Sequence, residues 1–161
     1  MKIIITGACG HIGSFLSQNL NKIKKVKKTI LIDNMITNKH NSIFNLSKKP
    51  NFEFYDRDLS KKNTLSEFKN VSIIIHCASM TDAANSFGNK ELMYANNLGC
   101  MKNVINYCIK NNTKLIHIST ASVYGKQANI IHEDDKHLLK PQSPYADIKL
   151  IEEELLLKNK K

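Results

Sequence analysis

A tyrosine and a lysine near the end of the chain have the types and spacing for acid–base chemistry. Tyr145 and Lys149 are four residues apart, so in a helix both side chains lie on one face. A phenol with its usual pKa of about 10 needs roughly 4 kcal/mol of stabilisation to act as a base at neutral pH. One ammonium about 4 Å away contributes about that much at an effective dielectric constant near 20. The pair predicts a general base, Tyr145, that is tuned by Lys149.

A third polar residue supports this interpretation. Thr120 lies at the carboxyl end of a predicted strand and is placed to hydrogen-bond the same reacting hydroxyl. An aromatic–aliphatic pair on a helix surface would show the same spacing as Tyr145 and Lys149. It is the combination with Thr120 and with a glycine loop at the other end of the chain that favours a catalytic site.

The glycine loop has the features of a diphosphate site. Gly7, Gly10 and Gly13 follow an apolar run and open a helical pattern that includes His11 and Ile12. Gly7 allows a tight turn, and Gly10 lets the backbone approach a pyrophosphate at the positive end of the helix. Gly13 lets the helix and the strand pack closely. The spacing differs from the G-x-G-x-x-G of two-domain dehydrogenases, so the context on both sides matters more than the glycines alone.

An acidic residue completes that context. Asp33 ends the second predicted strand, about 20 residues beyond Gly13. A carboxylate there accepts hydrogen bonds from the adenosine ribose and repels a 2′-phosphate, so the loop and the acid predict NAD rather than NADP. The alternative is a structural turn followed by an aspartate that merely ends a strand.

The elements that position these residues alternate between apolar strands and helices. Strand followed by helix throughout, with right-handed crossovers, predicts an α/β fold: a doubly wound parallel sheet of about five strands, a Rossmann fold, in a single domain over residues 1–161. The predicted strands are Lys2–Thr6, Thr29–Asp33, Asn51–Tyr55, Val71–Cys77 and Lys114–Ser119. The predicted helices cover about His11–Ile23, Asn89–Lys110 and Ser143–Lys158, and Lys126–Gln142 is a loop. Ligands of such sheets bind at the carboxyl ends of the strands.

Composition excludes several other classes of protein. Hydrophobic residues make up 42% and charged residues 24% of the 161 residues, which is ordinary for a globular domain. No apolar stretch approaches the roughly 20 residues of a membrane span, and the first apolar run is too short for a signal peptide. We therefore expect a cytoplasmic protein with no membrane association.

The charge and the cysteines also point to no further ligand. The net charge is +10, but the lysine runs Lys22–Lys28 and Lys158–Lys161 contain no interleaved aromatic residues and belong to no nucleic-acid motif. Solvated helix faces and ends explain them better than nucleic-acid binding. The four cysteines have no Cys-x-x-Cys spacing and no nearby histidine at metal-ligand distance, so we expect reduced thiols and no metal site.

Together these motifs resemble those of the extended short-chain dehydrogenase/reductase family. Within it, the chain looks most like the NAD-dependent epimerases and dehydratases of sugar nucleotides, especially the UDP-glucose 4-epimerases. The main matches are the glycine loop, the segment STASVYG at Ser119–Gly125 and the segment YADIK at Tyr145–Lys149. Further matches are Asp33-Asn34, Asp58-Leu59, His76-Cys77-Ala78-Ser79, Asn97-Leu98-Gly99 and Gln142-Ser143-Pro144-Tyr145.

The resemblance implies a role for each matching residue. Tyr145 would take the proton of a sugar hydroxyl while hydride passes to NAD, Lys149 would also hold the nicotinamide ribose, and Thr120 would bind the reacting hydroxyl. The implied catalytic residues are thus Thr120, Tyr145 and Lys149. The implied cofactor-binding residues are Gly7, Gly10, His11, Ile12, Gly13, Asp33, Asn34, Asp58, Leu59, Cys77, Ala78, Ser79, Asn97, Tyr145 and Lys149.

The resemblance also bears on the reaction and the partners. The family's 4,6-dehydratases typically carry Asp-Glu after the Ser/Thr, whereas this chain has Ala121-Ser122. Epimerisation or simple redox at a carbon of a UDP- or dTDP-sugar is therefore favoured over elimination. His76, His117 and His132 are interpreted as packing residues. Family dimers pair the helices that correspond here to Asn89–Lys110 and Ser143–Lys158, so we expect a homodimer.

Family members normally run about twice this length and carry a C-terminal substrate domain. We expect that domain to be absent from these 161 residues, and the edge of strand five, with the apolar run Leu115–Ile118, to be unpaired. The hypothesis from another functional class is an NAD-binding module that does not turn over, or that needs a partner to do so.

Overall fold

The computed structural model describes residues 1–44, 51–82, 86–127 and 130–160. Its strands are β1 (Lys2–Thr6), β2 (Lys28–Asp33), β3 (Phe52–Asp56), β4 (Ile73–His76) and β5 (Lys114–His117). Its α-helices are α1 (His11–Asn19), α2 (Asn41–Phe44), α3 (Lys90–Asn111) and α4 (Pro144–Lys158). Single 3₁₀ turns cover Leu20–Lys22, Ala121–Tyr124 and Lys136–Leu138. Residues 128 and 129 of the predicted loop and the last lysine of the C-terminal run lie outside the described residues.

The five strands form one parallel sheet in the order β3-β2-β1-β4-β5. The order reverses beside β1, whose neighbours are β2 and β4, so the carboxyl end of β1 is the switch point at which ligands of such sheets bind. The predicted α/β class, parallel arrangement and strand number are confirmed. In the described part of the chain β5 ends the sheet, and its Ile116 is 48% exposed.

Alternate residues along the strands supply the two faces of the sheet. Ile4, Ile30 and Ile74 belong to one buried cluster, together with Val104 and Tyr107 of α3. The opposite cluster is formed around Ile3, Ile5, Leu31, Ile75, Ala8 and Val26, with Leu16 and Leu20 packed against it. Both faces of the central strands are therefore apolar, which explains why β1 and β4 are nearly continuous isoleucine runs rather than alternating patterns.

The chain divides into two compact units. The first contains Met1–Ser79 and Gly99–Ile118, and thus the whole sheet. The second contains Met80–Leu98 and Ser119–Lys161, and thus α4. Among the described residues, no helix has both the length and the apolar character needed to cross a membrane.

The predicted element bounds agree with the structure to within one or two residues except at the first helix. The helical pattern predicts an end near Ile23, but α1 ends at Asn19 and continues as the 3₁₀ turn Leu20–Lys22. The Asn19 amide donates to the carbonyl of Phe15 at 2.8 Å. Asparagine side chains compete in this way with the backbone ladder, and 3₁₀ turns commonly close a helix, so the α-helix stops before the apolar pattern does.

Truncating a buried side chain of α3 should show how much core packing contributes to the free energy of unfolding. Met101 is fully buried, whereas the next residue, Lys102, is exposed. We expect Met101→Ala to lower the free energy of unfolding by about 2–5 kcal/mol, because it deletes apolar contacts and leaves a cavity. Lys102→Ala should change it by less than about 0.5 kcal/mol. Urea denaturation of both variants measures this, and equal stabilities would contradict the described packing of α3.

Candidate functional site

The glycine loop after β1 is in direct backbone contact with the end of β4. Gly7 has a φ of +63°, and a Cβ there would lie 2.6 Å from the backbone nitrogen of Ala78. A Cβ at Gly13 would lie 2.1 Å from the carbonyl oxygen of Gly7, whereas one at Gly10 would lie 3.2 Å from that oxygen. Gly7 and Gly13 are thus required by packing alone, because no side chain fits between these backbones.

The N-terminus of α1 opens directly from this loop. Gly10 is the N-cap residue, and no side chain of the described residues caps the helix. The first turn carries no acidic residue, and His11 and Ile12 are exposed. The free N–H groups and the helix dipole therefore give this end of α1 a partial positive charge. Such an end can accept an anionic group such as a phosphate.

Asp33 ties the end of β2 to the same loop. One carboxylate oxygen accepts a hydrogen bond from the backbone N–H of Cys9 at 2.9 Å, and the other accepts from the N–H of Met35 at 2.9 Å. The neighbouring Asn34 turns its side-chain oxygen to the N–H of Ile36 at 3.3 Å. A carboxylate has about four lone-pair positions, so Asp33 is held in place and keeps capacity for hydroxyl donors.

The thiol within the loop is not a nucleophile. Cys9 is buried, and burial, followed by the negative charges of Asp33 and Asp56, raises its pKa to about 11. Burial raises the pKa of Cys108 to about 12. Both thiols are therefore protonated at neutral pH, and protonated thiols neither attack electrophiles nor bind metals well. The described ranges contain no group of three or more metal-ligating side chains.

A buried threonine that the sequence analysis missed organises the end of β4. The Thr6 hydroxyl accepts from the N–H groups of Cys77 at 3.2 Å and Ala78 at 3.3 Å, and lies 2.7 Å from Nδ1 of His76. Two residues predicted to contact the cofactor, Cys77 and Ala78, are thus positioned by Thr6. A polar residue at the end of an apolar strand was the available signal.

Three further residues predicted for the cofactor have structural contacts. Asp58 accepts from the backbone N–H of Ser60 at 2.9 Å and from its hydroxyl at 2.6 Å. Leu59 is buried in the core, so contact with a ligand would involve its backbone. Asn97 is fully buried and binds both sides of the Met80 backbone, at 2.8 Å and 3.1 Å. Ser79 is half-buried.

The helix that carries the predicted base begins where the sequence indicated. Ser143 is the N-cap residue and accepts from the N–H of Ala146 at 3.2 Å. Pro144 opens the helix, where its missing N–H costs nothing. Tyr145 is half-buried, and the Thr120 side chain acts as a hydrogen-bonding group that lowers its pKa. The structure thus brings two of the three predicted catalytic residues near each other.

Lys149 has a partner that the sequence analysis did not identify. Its ammonium lies 2.8 Å from the Glu152 carboxylate, and both side chains are buried, at 4% and 0% exposure. The pKa of Tyr145 is raised, first by burial and second by the charge of Glu152, while the hydrogen bond with Thr120 acts to lower it. Glu152 belongs to a run of three glutamates, and its spacing of i,i+7 from Tyr145 was the only signal.

The segment that precedes α4 is held by its own hydrogen bonds. Thr120 caps the turn Ala121–Tyr124, its hydroxyl lying 2.9 Å from that of Ser122. Gly125 has a φ of +64°, and a Cβ there would lie 2.3 Å from the carbonyl oxygen of Lys140. The Gln127 amide donates to the carbonyls of Tyr124 and Leu138 at 2.8 Å and 3.2 Å. These contacts fix Thr120 at the start of an ordered turn.

The remaining histidines lie in other surroundings. The rings of His76 and His117 stack, with centroids 5.9 Å apart and planes inclined by 27°. His132 is exposed, and its backbone N–H donates to Asp135 at 2.8 Å. His76 and His117 belong to the unit that contains the sheet, whereas Tyr145 belongs to the other unit.

Comparisons with known proteins show which family and which sequences the chain resembles. Residues 3–161 match the model of the NAD dependent epimerase/dehydratase family. An uncharacterized UDP-glucose epimerase of Bacillus subtilis is 33% identical over 96% of this chain and 50% of its own length. A UDP-glucose 4-epimerase of Yersinia enterocolitica is 28% identical over 97% of this chain and 48% of its own. The chain therefore spans about half the length of these curated relatives.

Solved structures show the same likeness. A mutant UDP-glucuronic acid 4-epimerase of Bacillus cereus, in complex with a fluorinated UDP-sugar and NAD, has a TM-score of 0.90 and 31% identity over 99% of this chain and 52% of its own. A UDP-Glc/GlcNAc 4-epimerase of Campylobacter jejuni has a TM-score of 0.88 and 30% identity over 98% of this chain and 48% of its own.

Two glycines in helices allow a matched test of the loop packing. At Gly13 a Cβ would meet backbone atoms, whereas at Gly99 in α3 the nearest atom is the Ser60 Cβ at 3.4 Å. We expect Gly13→Ala to lower the free energy of unfolding by about 3 kcal/mol, because neither backbone can move freely. Gly99→Ala should leave it unchanged or raise it by up to about 1 kcal/mol through helix propensity. Thermal unfolding measures both variants. Equal melting temperatures for Gly13→Ala and Gly99→Ala would exclude this packing.

Proposed function

The chain belongs to the NAD dependent epimerase/dehydratase family, and we propose that it binds NAD through its glycine loop and Asp33 and serves the epimerisation of a nucleotide sugar. The observation that carries the proposal is the arrangement at the carboxyl ends of β1 and β2. There, the uncapped N-terminus of α1 and the Asp33 carboxylate meet at the same loop.

The residues present fit a dinucleotide. A diphosphate requires amide donors and close approach of the backbone, which the start of α1 offers after Gly10. An adenosine ribose requires an acceptor for its hydroxyls, and Asp33 is held by Cys9 and Met35 with lone pairs remaining. In the proposal, the backbone at Cys77, Ala78 and Ser79 borders the cofactor, and Asn34, Asp58 and Leu59 lie towards its adenosine part. Asn97 also belongs to the proposed cofactor set.

The proposed chemistry is hydride transfer at a sugar carbon, in which this chain supplies the base and its supports. Tyr145 takes the proton of the sugar hydroxyl on its phenolic oxygen, and Thr120 hydrogen-bonds the same sugar hydroxyl. Lys149 provides positive charge on the same helix face. When bound, NAD supplies the hydride acceptor and a positively charged ring that favours the phenolate. Because burial and Glu152 raise the pKa of Tyr145, the tyrosine is protonated in the chain alone.

The proposed substrate is a UDP- or dTDP-sugar, and the favoured reaction is epimerisation. The relatives named above include epimerases that act on UDP-sugars by name. The turn after Thr120 offers alanine and serine at positions 121 and 122, and the hydroxyl of Ser122 bonds to Thr120. In the dehydratases, an aspartate and a glutamate at these positions serve as the acid and base for water loss. Neither carboxylate is present here, so epimerisation is favoured.

We also propose that the protein forms a homodimer through α3 and α4. Leu92 and Ile109 of α3 and Leu157 of α4 are large apolar side chains that remain exposed. Exposed apolar residues on helices are suited to a helix-paired interface.

Replacing the acid of the loop tests the cofactor proposal. Asp33→Asn should weaken NAD binding at least about 10-fold, because it removes a charged acceptor for the ribose hydroxyls. It should also reduce the preference for NAD over NADP. Asp56→Asn is the control: Asp56 is paired in register with Asp33 on the adjacent strand and is exposed. Calorimetric titration of both variants measures the effect, and equal affinities in wild type and Asp33→Asn would exclude Asp33 from the site.

Removing one phenolic hydroxyl tests the base. Tyr145→Phe should retain NAD binding and reduce the interconversion of UDP-glucose and UDP-galactose, or of their N-acetylated analogues, about 10²–10⁴-fold. Tyr94→Phe is the control, because the Tyr94 phenol hydrogen-bonds Asp147 in the same unit and has a pKa raised to about 12 by burial and that bond. Conversion unaffected by Tyr145→Phe would overturn the assignment. NAD binding without conversion in the wild type would support the non-catalytic module instead.

A further inference from the structure

Three residues on α4 form one stripe along its buried face. Tyr145, Lys149 and Glu152 are spaced i, i+4 and i+7, so they follow one another on the same side of the helix. Lys149 and Glu152 are both buried and form an ion pair of 2.8 Å. Water screens such a pair poorly, so the charge of each partner acts strongly on its neighbours.

The turn beside α4 and the other charged residues of α4 bear on the charge of this stripe. The turn Ala121–Tyr124 packs against α4 and contains no carboxylate or ammonium group. Thr120, which precedes it, offers a neutral hydroxyl to Tyr145. Two other charged residues of α4 have hydrogen-bond partners. Asp147 accepts a hydrogen bond from the Tyr94 phenol of α3, and Glu153 accepts one from the Ser119 hydroxyl. The carboxylate whose charge acts on Tyr145 is that of Glu152.

We propose that Glu152 is a positioning residue that holds Lys149 in a neutral buried pair, so that Tyr145 becomes a base only when the ammonium is drawn from Glu152 to the cofactor ribose. The inference rests on the proposed function, because it assigns Tyr145 and Lys149 their roles there. The Glu152 carboxylate competes with the cofactor ribose for the Lys149 ammonium. Without cofactor, the charges of Lys149 and Glu152 cancel, so the pair does not activate the tyrosine.

The sign of the electrostatic effect agrees with this arrangement. A carboxylate near a phenol disfavours the phenolate, and the pKa of Tyr145 is raised by Glu152 in addition to burial, against the hydrogen bond with Thr120. Removal of the Glu152 charge takes away the charge that opposes the phenolate and leaves the Lys149 ammonium. The phenolate is then favoured, and the pKa of Tyr145 falls.

A pH titration of tyrosinate absorbance in the cofactor-free chain measures this directly. The sequence contains five tyrosines and no tryptophan, and the difference between each protein and its Tyr145→Phe counterpart isolates Tyr145. We expect Glu152→Gln to lower the pKa of Tyr145 by about one unit or more. Glu154→Gln, which makes the same charge change at an exposed position of the same helix, should leave it unchanged. A folded Glu152→Gln protein with an unchanged or raised Tyr145 pKa overturns the proposal.

A second variant covers the case in which Glu152→Gln does not fold, since it leaves a buried ammonium unpaired. The double variant Lys149→Met/Glu152→Met removes both charges and keeps similar side-chain volumes, a replacement that proteins often tolerate. If the pair is neutral towards Tyr145, the pKa of the tyrosine stays at or below the wild-type value. A rise of about two units would show that Lys149 acts on Tyr145 unopposed, and would overturn the proposal.

Calorimetry with NAD on the wild-type chain separates this inference from the function on which it rests. Absence of NAD binding would defeat the proposed function, whatever the tyrosine titration shows. NAD binding with no effect of Glu152 on Tyr145 would defeat only the role assigned to Glu152.

Discussion

The structure depends on backbone-to-backbone contact at the glycine loop. Between Gly7 and the end of β4, and between Gly13 and Gly7, there is no room for a Cβ atom. This close approach brings β1, α1 and β4 together at the point where the strand order reverses. As a consequence, the N-terminus of α1 opens at the carboxyl edge of the sheet, where ligands of parallel sheets bind. The proposed cofactor site follows from this one constraint.

Polar side chains then fix the surroundings of the loop without closing it. Asp33 binds the amides of Cys9 and Met35, and Thr6 binds those of Cys77 and Ala78. Each of these bonds satisfies a backbone donor that would otherwise be costly to bury. Their joint effect is a rigid rim whose positions are set before any ligand arrives, and a preformed site loses less entropy on binding.

Much of the fold could be predicted from the sequence, and the contacts between distant residues could not. Continuous isoleucine runs separated by helix-period segments reveal buried parallel strands, and a strand–glycine loop–helix order reveals the loop. Thr6 and His76 are 70 residues apart, and no local pattern connects them. Glu152 resembles its exposed neighbour Glu154 in type, and only the packing of α4 distinguishes the buried glutamate. That is why the sequence predicts roles for Lys149 towards Tyr145 and the nicotinamide ribose but not the carboxylate partner that the structure gives it.

The central claim is that a diphosphate rests on the amides at the start of α1 while Asp33 holds the adjacent ribose. Crystallography of the chain grown with NAD tests it most directly. We expect electron density for the diphosphate within hydrogen-bond distance of the backbone N–H groups between Gly10 and Gly13, with the adenosine ribose hydroxyls on the Asp33 carboxylate. Density for NAD elsewhere, with this loop empty, would contradict the account.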